Sequence, residues 1–386
     1  MNVNTIEKIK KIGHVCFWIA LVIELIIVIV DKSAYINPYE GMLFRMTFAL
    51  FCVKILTTKY SRNEWIAMIC VGAIAVLSYF INDRDETVRA VAFVVACKDI
   101  DLKKILKVTL FITAVGTIVL FVLSATGIFG AFSVTANFGR GPSPGIVETR
   151  YCFGMGHPNA FQCMLFMMST LVIYLYSYKM NIIHFIMVFA VNVISYLFTD
   201  SNTALLVLIA LLAGVLILKY VKVLRESKAV YILGAILFAA IVLFSVYGAY
   251  VGTENQFMYK LDKILNGRFQ YAYLIEDARL QNWTLFANSN NIEYFDQGFI
   301  RLFYWYGIIP SITYLFANIY LIWQSYKEKD YTLLVIIVAY AVFSIMEAHI
   351  VSVYLLRNYL LIWLGFYWTR GLKKTNEYDK NYKEST

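Results

Sequence analysis

The chain has 386 residues, of which 60% are hydrophobic and 15% charged, and its mean hydropathy is +0.66. Globular domains average about 45–50% apolar and about 25% charged residues. A water-exposed domain of this size has no way to hide so much apolar surface, whereas a bilayer does. The formal net charge of +9 could suit nucleic acid, but the 34 Lys and Arg residues flank long apolar runs, which points to membrane topology and anionic lipid instead. The composition therefore predicts an all-α, polytopic integral membrane protein forming one transmembrane domain over 1–386, with the lipid bilayer and not nucleic acid as its surroundings.

The N-terminal KIKKIGHVCFWIALVIELIIVIV resembles the basic and apolar parts of a signal peptide, but its apolar part is long and lacks a small-residue cleavage site, so it reads as a retained first helix. A spanning helix needs about 20 apolar residues. Segments near that length recur at 13–30, 40–57, 64–81, 105–126, 158–178, 182–199, 203–220, 229–251, 298–323, 331–348 and 354–369, with a shorter one at 87–98. With the N-terminus placed inside, 21 Lys and Arg fall on the inner side and nine on the outer, while Arg45, Lys54, Arg301 and Arg357 lie in or near spans. This asymmetry favours about twelve helices with both termini cytoplasmic. Five of the six cysteines sit in apolar runs and only Cys152 borders a loop, so neither a disulfide framework nor a zinc site is visible.

Two connections are long, and both face outward in this arrangement. The first, 127–157, holds the breaker-rich GRGPSPG, which lacks the spacing of a nucleotide-binding loop. The second, 252–297, alternates aromatic with charged residues from Phe257 to Phe295, a content that argues for an ordered segment.

The outward loops carry Arg140, Arg150, Arg268 and Arg279, and Arg301 and Arg357 lie within a turn or two of the outer face. Arg stays charged and binds phosphate through a planar fork, so this cluster suits a lipid diphosphate; the alternative is snorkelling or pairing with nearby carboxylates. RYCFGMGHPNAFQ sets Arg150, His157 and Asn159 around a helix start, with Pro158 suited to the first turn. His157 is a candidate for proton transfer or sugar binding, and helix capping is the competing reading. MEAHIVSVYLLRN places Glu347, His349, Arg357 and Asn358 around a helix-to-helix turn, where ionisable groups at membrane depth are functional candidates. Glu347 beside His349 suits removal of a proton from a sugar hydroxyl, against a purely structural Glu347–Arg357 pair. Asp296, opening FDQGFIRLFYWYG, is a further candidate base. His14 and His184 read as packing or interfacial residues, and the two D-x-D patterns, Asp83–Asp85 and Asp99–Asp101, are weak metal signals in loops this polar.

The ordered series RYCFGMGHPN, YLFTDSNTALL, KILNGRFQYA, FDQGFIRLFYWYGIIP and MEAHIVSVYLLRN resembles the O-antigen polymerase and ligase superfamily, specifically the Wzy polymerases of capsule and exopolysaccharide assembly, over about 85–365. The chain departs from the pattern at TDSNT, where relatives commonly carry an arginine after the serine; Asn202 removes that charge. The resemblance implies a GT-C-like membrane glycosyltransferase in a bacterial cytoplasmic membrane. Such an enzyme joins polyprenyl diphosphate-linked oligosaccharide repeats into long chains, with a chain-length regulator among the partners it implies. Arg150, Arg268 and Arg279, with Arg301 or Arg357, would neutralise the departing diphosphate, so neither metal nor cofactor is required. A flippase for the same lipid-linked glycan is the alternative; it would place charges along mid-membrane helices and show an internal repeat. A glycosyltransferase using a single-sugar lipid donor is a third, kept open by Asp31 and Glu40 in the first outward loop.

Overall fold

The computed structural model describes residues 3–138, 147–265 and 267–372. Its α-helices are, in chain order, α1 (Val3–Lys32), α2 (Glu40–Leu56), α3 (Arg62–Asn82), α4 (Glu86–Ala96), α5 (Leu102–Ala125), α6 (Pro158–Tyr176), α7 (Ile182–Thr199), α8 (Asn202–Tyr220), α9 (Lys222–Glu226), α10 (Lys228–Val251), α11 (Gln256–Ile264), α12 (Arg268–Leu274), α13 (Gly298–Tyr306), α14 (Ile308–Lys327), α15 (Tyr331–Ser344) and α16 (Leu360–Tyr367). Among the described residues, strand pairing is confined to an antiparallel hairpin of β1 (Ser133–Ala136) and β2 (Glu148–Tyr151) within the first long loop.

Helix starts follow local side-chain chemistry. Ser61 and Glu64 cap α3 reciprocally, and the Glu64 carboxylate also takes Lys98 at 2.6 Å. Asp101 accepts from the Lys104 N–H at 2.6 Å to start α5, and Asn181 does the same for α7 through the Ile183 and His184 N–H groups.

Among the described residues, seven helices, α1, α3, α5, α6, α7, α8 and α10, are long and apolar enough to cross a bilayer. Much of their surface is apolar and uncovered, as at Phe80, Phe111, Leu197 and Leu243. In water these faces would drive aggregation; they are the lipid-facing surface of an α-helical membrane protein. At the centre, α15 packs against α6, α8, α10 and α14, and α13 is buried at every position. Trp305, Trp363, Tyr331 and Tyr340 are the largest fully buried side chains.

The apolar segments are helical, with three departures from the expected boundaries. The segment 298–323 is not one helix but α13 and α14, broken at Gly307, whose φ of +87° only glycine adopts without strain. The second long loop satisfies the freed backbone there: Ile308 and Ile309 donate to the carbonyls of Thr284 and Leu285 at 2.9 and 3.0 Å, and Trp283 stacks on Phe303 at 4.3 Å between centroids. A Cβ at position 307 would meet backbone atoms of Phe286 and Ala287 at 2.5 Å. Gly307→Ala is expected to cost about 2–5 kcal/mol from backbone strain and overpacking together; a lowered unfolding midpoint of the detergent-solubilised protein would show it.

The expected helices 331–348 and 354–369 are also shorter than their apolar patterns. α15 ends at Ser344 and α16 begins at Leu360, so 345–359 is unwound apart from a 3₁₀ turn at Leu355–Arg357. An unwound stretch between apolar helices needs internal partners for its carbonyls. Arg301 supplies them, donating to Ala348 at 3.4 Å and to Val351, and it also holds the Phe295 carbonyl of the second long loop at 3.1 Å. Arg89 adds a bond to the Val353 carbonyl at 2.8 Å.

Candidate functional site

The unwound segment, the start of α6 and the end of α1 enclose a cavity of about 320 Å³. Seven residues singled out from sequence line it: His157, Asn159, Asp296, Arg301, Glu347, His349 and Arg357. They are drawn from three stretches of the chain separated by well over a hundred residues between the first and second.

His157 is the N-cap of α6. Its Nδ1 accepts from the Asn159 N–H at 3.1 Å, which leaves Nε2 to carry the proton of the neutral ring, and Pro158 occupies the first helical position. Both competing readings of this residue therefore meet in one side chain, which caps the helix and faces the cavity. Burial lowers its pKa, with Arg150 and Arg268 adding to the effect and Asp296 opposing it.

Arg268 is presented by the turn between α11 and α12. Gly267 takes the left-handed conformation, and the Asp262 carboxylate accepts from the N–H groups of Phe269 and Gln270 at 2.7 and 3.0 Å, which fixes the start of α12. The guanidinium then bridges two carboxylates, Glu347 Oε1 at 3.1 Å and Asp296 Oδ2 at 3.6 Å. Sequence reading weighed a Glu347–Arg357 pair; the structure pairs Glu347 with Arg268 and Arg357 with Asp31 instead. Glu347 lies in the connection between α15 and α16, outside the helices. Burial raises its pKa to about 7 against the opposing pull of Arg268.

His349 sits between the rings of Tyr340 and Phe343, at centroid distances of 5.2 and 4.9 Å. Both of its ring nitrogens are buried without a partner among the described residues, and burial lowers its pKa to about 3, so the ring is neutral. A neutral imidazole facing a cavity with a donor and an acceptor to spare is suited to a hydroxylated ligand. Asp296, with its side chain 59% exposed, is the more exposed of the two lining carboxylates.

Other residues singled out from sequence do not line this cavity. Arg150 is buried between Glu148 at 2.6 Å and Asp200 at 2.8 Å and lies over Phe138, so it joins the hairpin to the turn between α7 and α8. Arg279 donates to the Tyr273 carbonyl at 2.9 Å and stacks on that ring. Arg140 falls outside the described residues. The D-x-D aspartates Asp85 and Asp99 pair with Arg89 and Lys10.

Sequence reading missed Lys32, Met164, Met167 and Tyr359, which also line the wall. Lys32 has no ion pair among the described residues and reaches the cavity from the end of α1. Its signal was its place beside Asp31 at the end of the first span; the apolar members carried none. The wall cations Lys32, Arg301 and Arg357, with Arg268 paired to the wall carboxylates, stand against Asp296, Glu347 and the Arg357-paired Asp31, a balance that favours an anion. Comparisons with protein-family models, curated proteins and solved structures find no match to this chain.

Proposed function

We propose that the protein is a glycosyltransferase of the outer face of a bacterial cytoplasmic membrane that polymerises polyprenyl diphosphate-linked oligosaccharide repeats, with twelve membrane segments and both termini cytoplasmic. The observation that carries this reading is the Asp296–Arg268–Glu347 bridge at the wall of a cavity with three further cations, Lys32, Arg301 and Arg357. A carboxylate held at the edge of proton release beside guanidinium groups is what transfer from a diphosphate to a hydroxyl needs.

In this scheme the acceptor is a hydroxyl at the non-reducing end of a new lipid-linked repeat. Its oxygen forms a bond to the anomeric carbon of the growing glycan as the bond from that carbon to the diphosphate oxygen breaks. The hydroxyl proton passes to Glu347, and the electron pair leaves with the polyprenyl diphosphate. Arg268, Lys32 and Arg357 meet the charge that develops on the leaving oxygen, and such preorganised charge is often the largest catalytic contribution. Arg301, whose donors already hold backbone carbonyls, positions the unwound segment. His349 and Asn159 orient sugar hydroxyls, and Asp296 and His157 tune the bridge. A chain-length regulator is a partner consistent with this activity.

The test is to supply purified protein in lipid with a polyprenyl diphosphate-linked repeat and no nucleotide sugar, then size the glycan on a gel. A ladder at multiples of the repeat is the expected result. A repeat that stays single but crosses the bilayer would favour a flippase instead. The interrupted pair α13 and α14 and the unwound 345–359 segment give that reading its support, because discontinuous helices recur at transporter binding sites.

A further inference from the structure

A second cavity, of about 560 Å³, lies on the other side of the unwound segment, between α3, α4, α14 and α16. Its walls are almost wholly apolar. Small side chains on facing helices, Ala67 and Ala75 of α3, Ala90 of α4 and Ala317 of α14, leave the space. The lining runs from Ala75, Glu86 and Pro310 at one end to Ala67, Val95 and Tyr320 at the other. At 1.5 Å per helical residue this is a slot about 12–15 Å long, roughly the hydrocarbon depth of one leaflet. Val71 and Phe316 bring its walls to the exposed apolar surface.

The slot adjoins the polar cavity at one residue. His349 lines both, and successive residues of the same segment divide between them: Leu355 and Asn358 face the slot, while Leu356, Arg357 and Tyr359 face the polar cavity. Beyond its tyrosines, the slot's polar side chains are few: Glu86, Thr87, Thr313, His349, Ser352 and Asn358. A hydrophobic chamber that stands along the helices, ends beside a cation-rich chamber and shares one wall side chain with it matches an amphiphile with a single long chain and an anionic head.

We propose that the slot holds the hydrocarbon chain of the lipid diphosphate whose head group occupies the polar cavity, with residues 345–359 as the partition between head and chain and His349 at the passage. The assignment of the head group rests on the function proposed above; the slot itself is defined by its shape and apolar walls. Filling it should therefore weaken binding of the chain without touching recognition of the diphosphate.

The experiment measures binding of three probes to the full-length purified protein: a long-chain polyprenol with no phosphate, the corresponding polyprenyl diphosphate, and geranyl diphosphate. Wild type should bind the polyprenyl diphosphate at least about tenfold more tightly than geranyl diphosphate, because the longer chain buries more apolar surface. Ala90→Phe and Ala317→Phe, on opposite walls, should each weaken both long-chain probes by about tenfold and leave geranyl diphosphate within about twofold. Ala210→Phe, on the exposed face of α8, should change none of the three. Equal affinities of wild type for the long and short diphosphates would overturn the proposal without any variant. So would unchanged polyprenol binding by folded Ala90→Phe or Ala317→Phe, or equal displacement of polyprenol by phosphatidylglycerol, which would make the slot a general lipid site. Failure of the head-group reading looks different: polyprenol binds and is lost on filling, while geranyl diphosphate does not bind and Arg268→Ala alters no affinity.

Discussion

Arg268→Ala is expected to abolish chain extension while the protein remains folded in the membrane, with a rate loss of about 10²–10³ or more, the effect of removing one preorganised charge from a transition state. The size follows from geometry. One guanidinium bridges Glu347 at 3.1 Å and Asp296 at 3.6 Å, so its loss removes a cation from the leaving group and at once leaves two carboxylates facing each other across the cavity. Arg268→Lys should recover little, because a point charge does not reproduce a planar fork held between two oxygens. Glycan length on a gel reads the loss, and monodisperse elution of the variant shows that it has folded. Wild-type polymer from Arg268→Ala would end the assignment of this residue.

Glu347→Gln should remove the pH dependence as well as most of the rate. The carboxyl group has its pKa raised to about 7, and the active form of a general base is the deprotonated one. The wild-type rate is therefore expected to climb as pH rises through about 7 and to level off above it. His349, with a pKa near 3, is neutral over that range and adds no second limb near neutrality. In Glu347→Gln the rate should fall by about 10²–10⁴, and what remains should be flat across the same range. A profile for the variant that still climbs through neutral pH would move the base to Asp296 or elsewhere.

The clamp formed by Arg301 explains why these residues meet at all. In water, an irregular stretch such as 345–359 would solvate its own carbonyls. Between apolar helices it depends on Arg301 and Arg89, and so the polar side chains of the segment are held in one arrangement. Asp31 and Glu40, at the other end of the sequence, fasten the same segment through Arg357 and the Tyr354 hydroxyl, the latter at 3.1 Å. Two residues that kept a different donor class open on sequence grounds thus brace the wall of the cavity.

The sequence by itself determined the membrane class, the positions of the apolar helices and most of the polar residues of the cavity, because each rests on a local signal: runs of apolar residues, Pro158 after His157, or an ionisable group next to a span. The order of the motifs also marked Arg268, Glu347 and Asp296 together. Only the tertiary structure decided which charges pair. Arg150 and Arg268 look alike in sequence, yet one is held between Glu148 and Asp200 and the other bridges two carboxylates of the cavity wall. Nor could hydropathy show that α13 breaks at Gly307 or that 345–359 unwinds, since Ile, Val and Leu carry the same apolar signal whether the backbone is helical or held open by an arginine from another helix. The two cavities and the single segment between them exist only through contacts between residues far apart in the chain, for which composition and periodicity carry no signal.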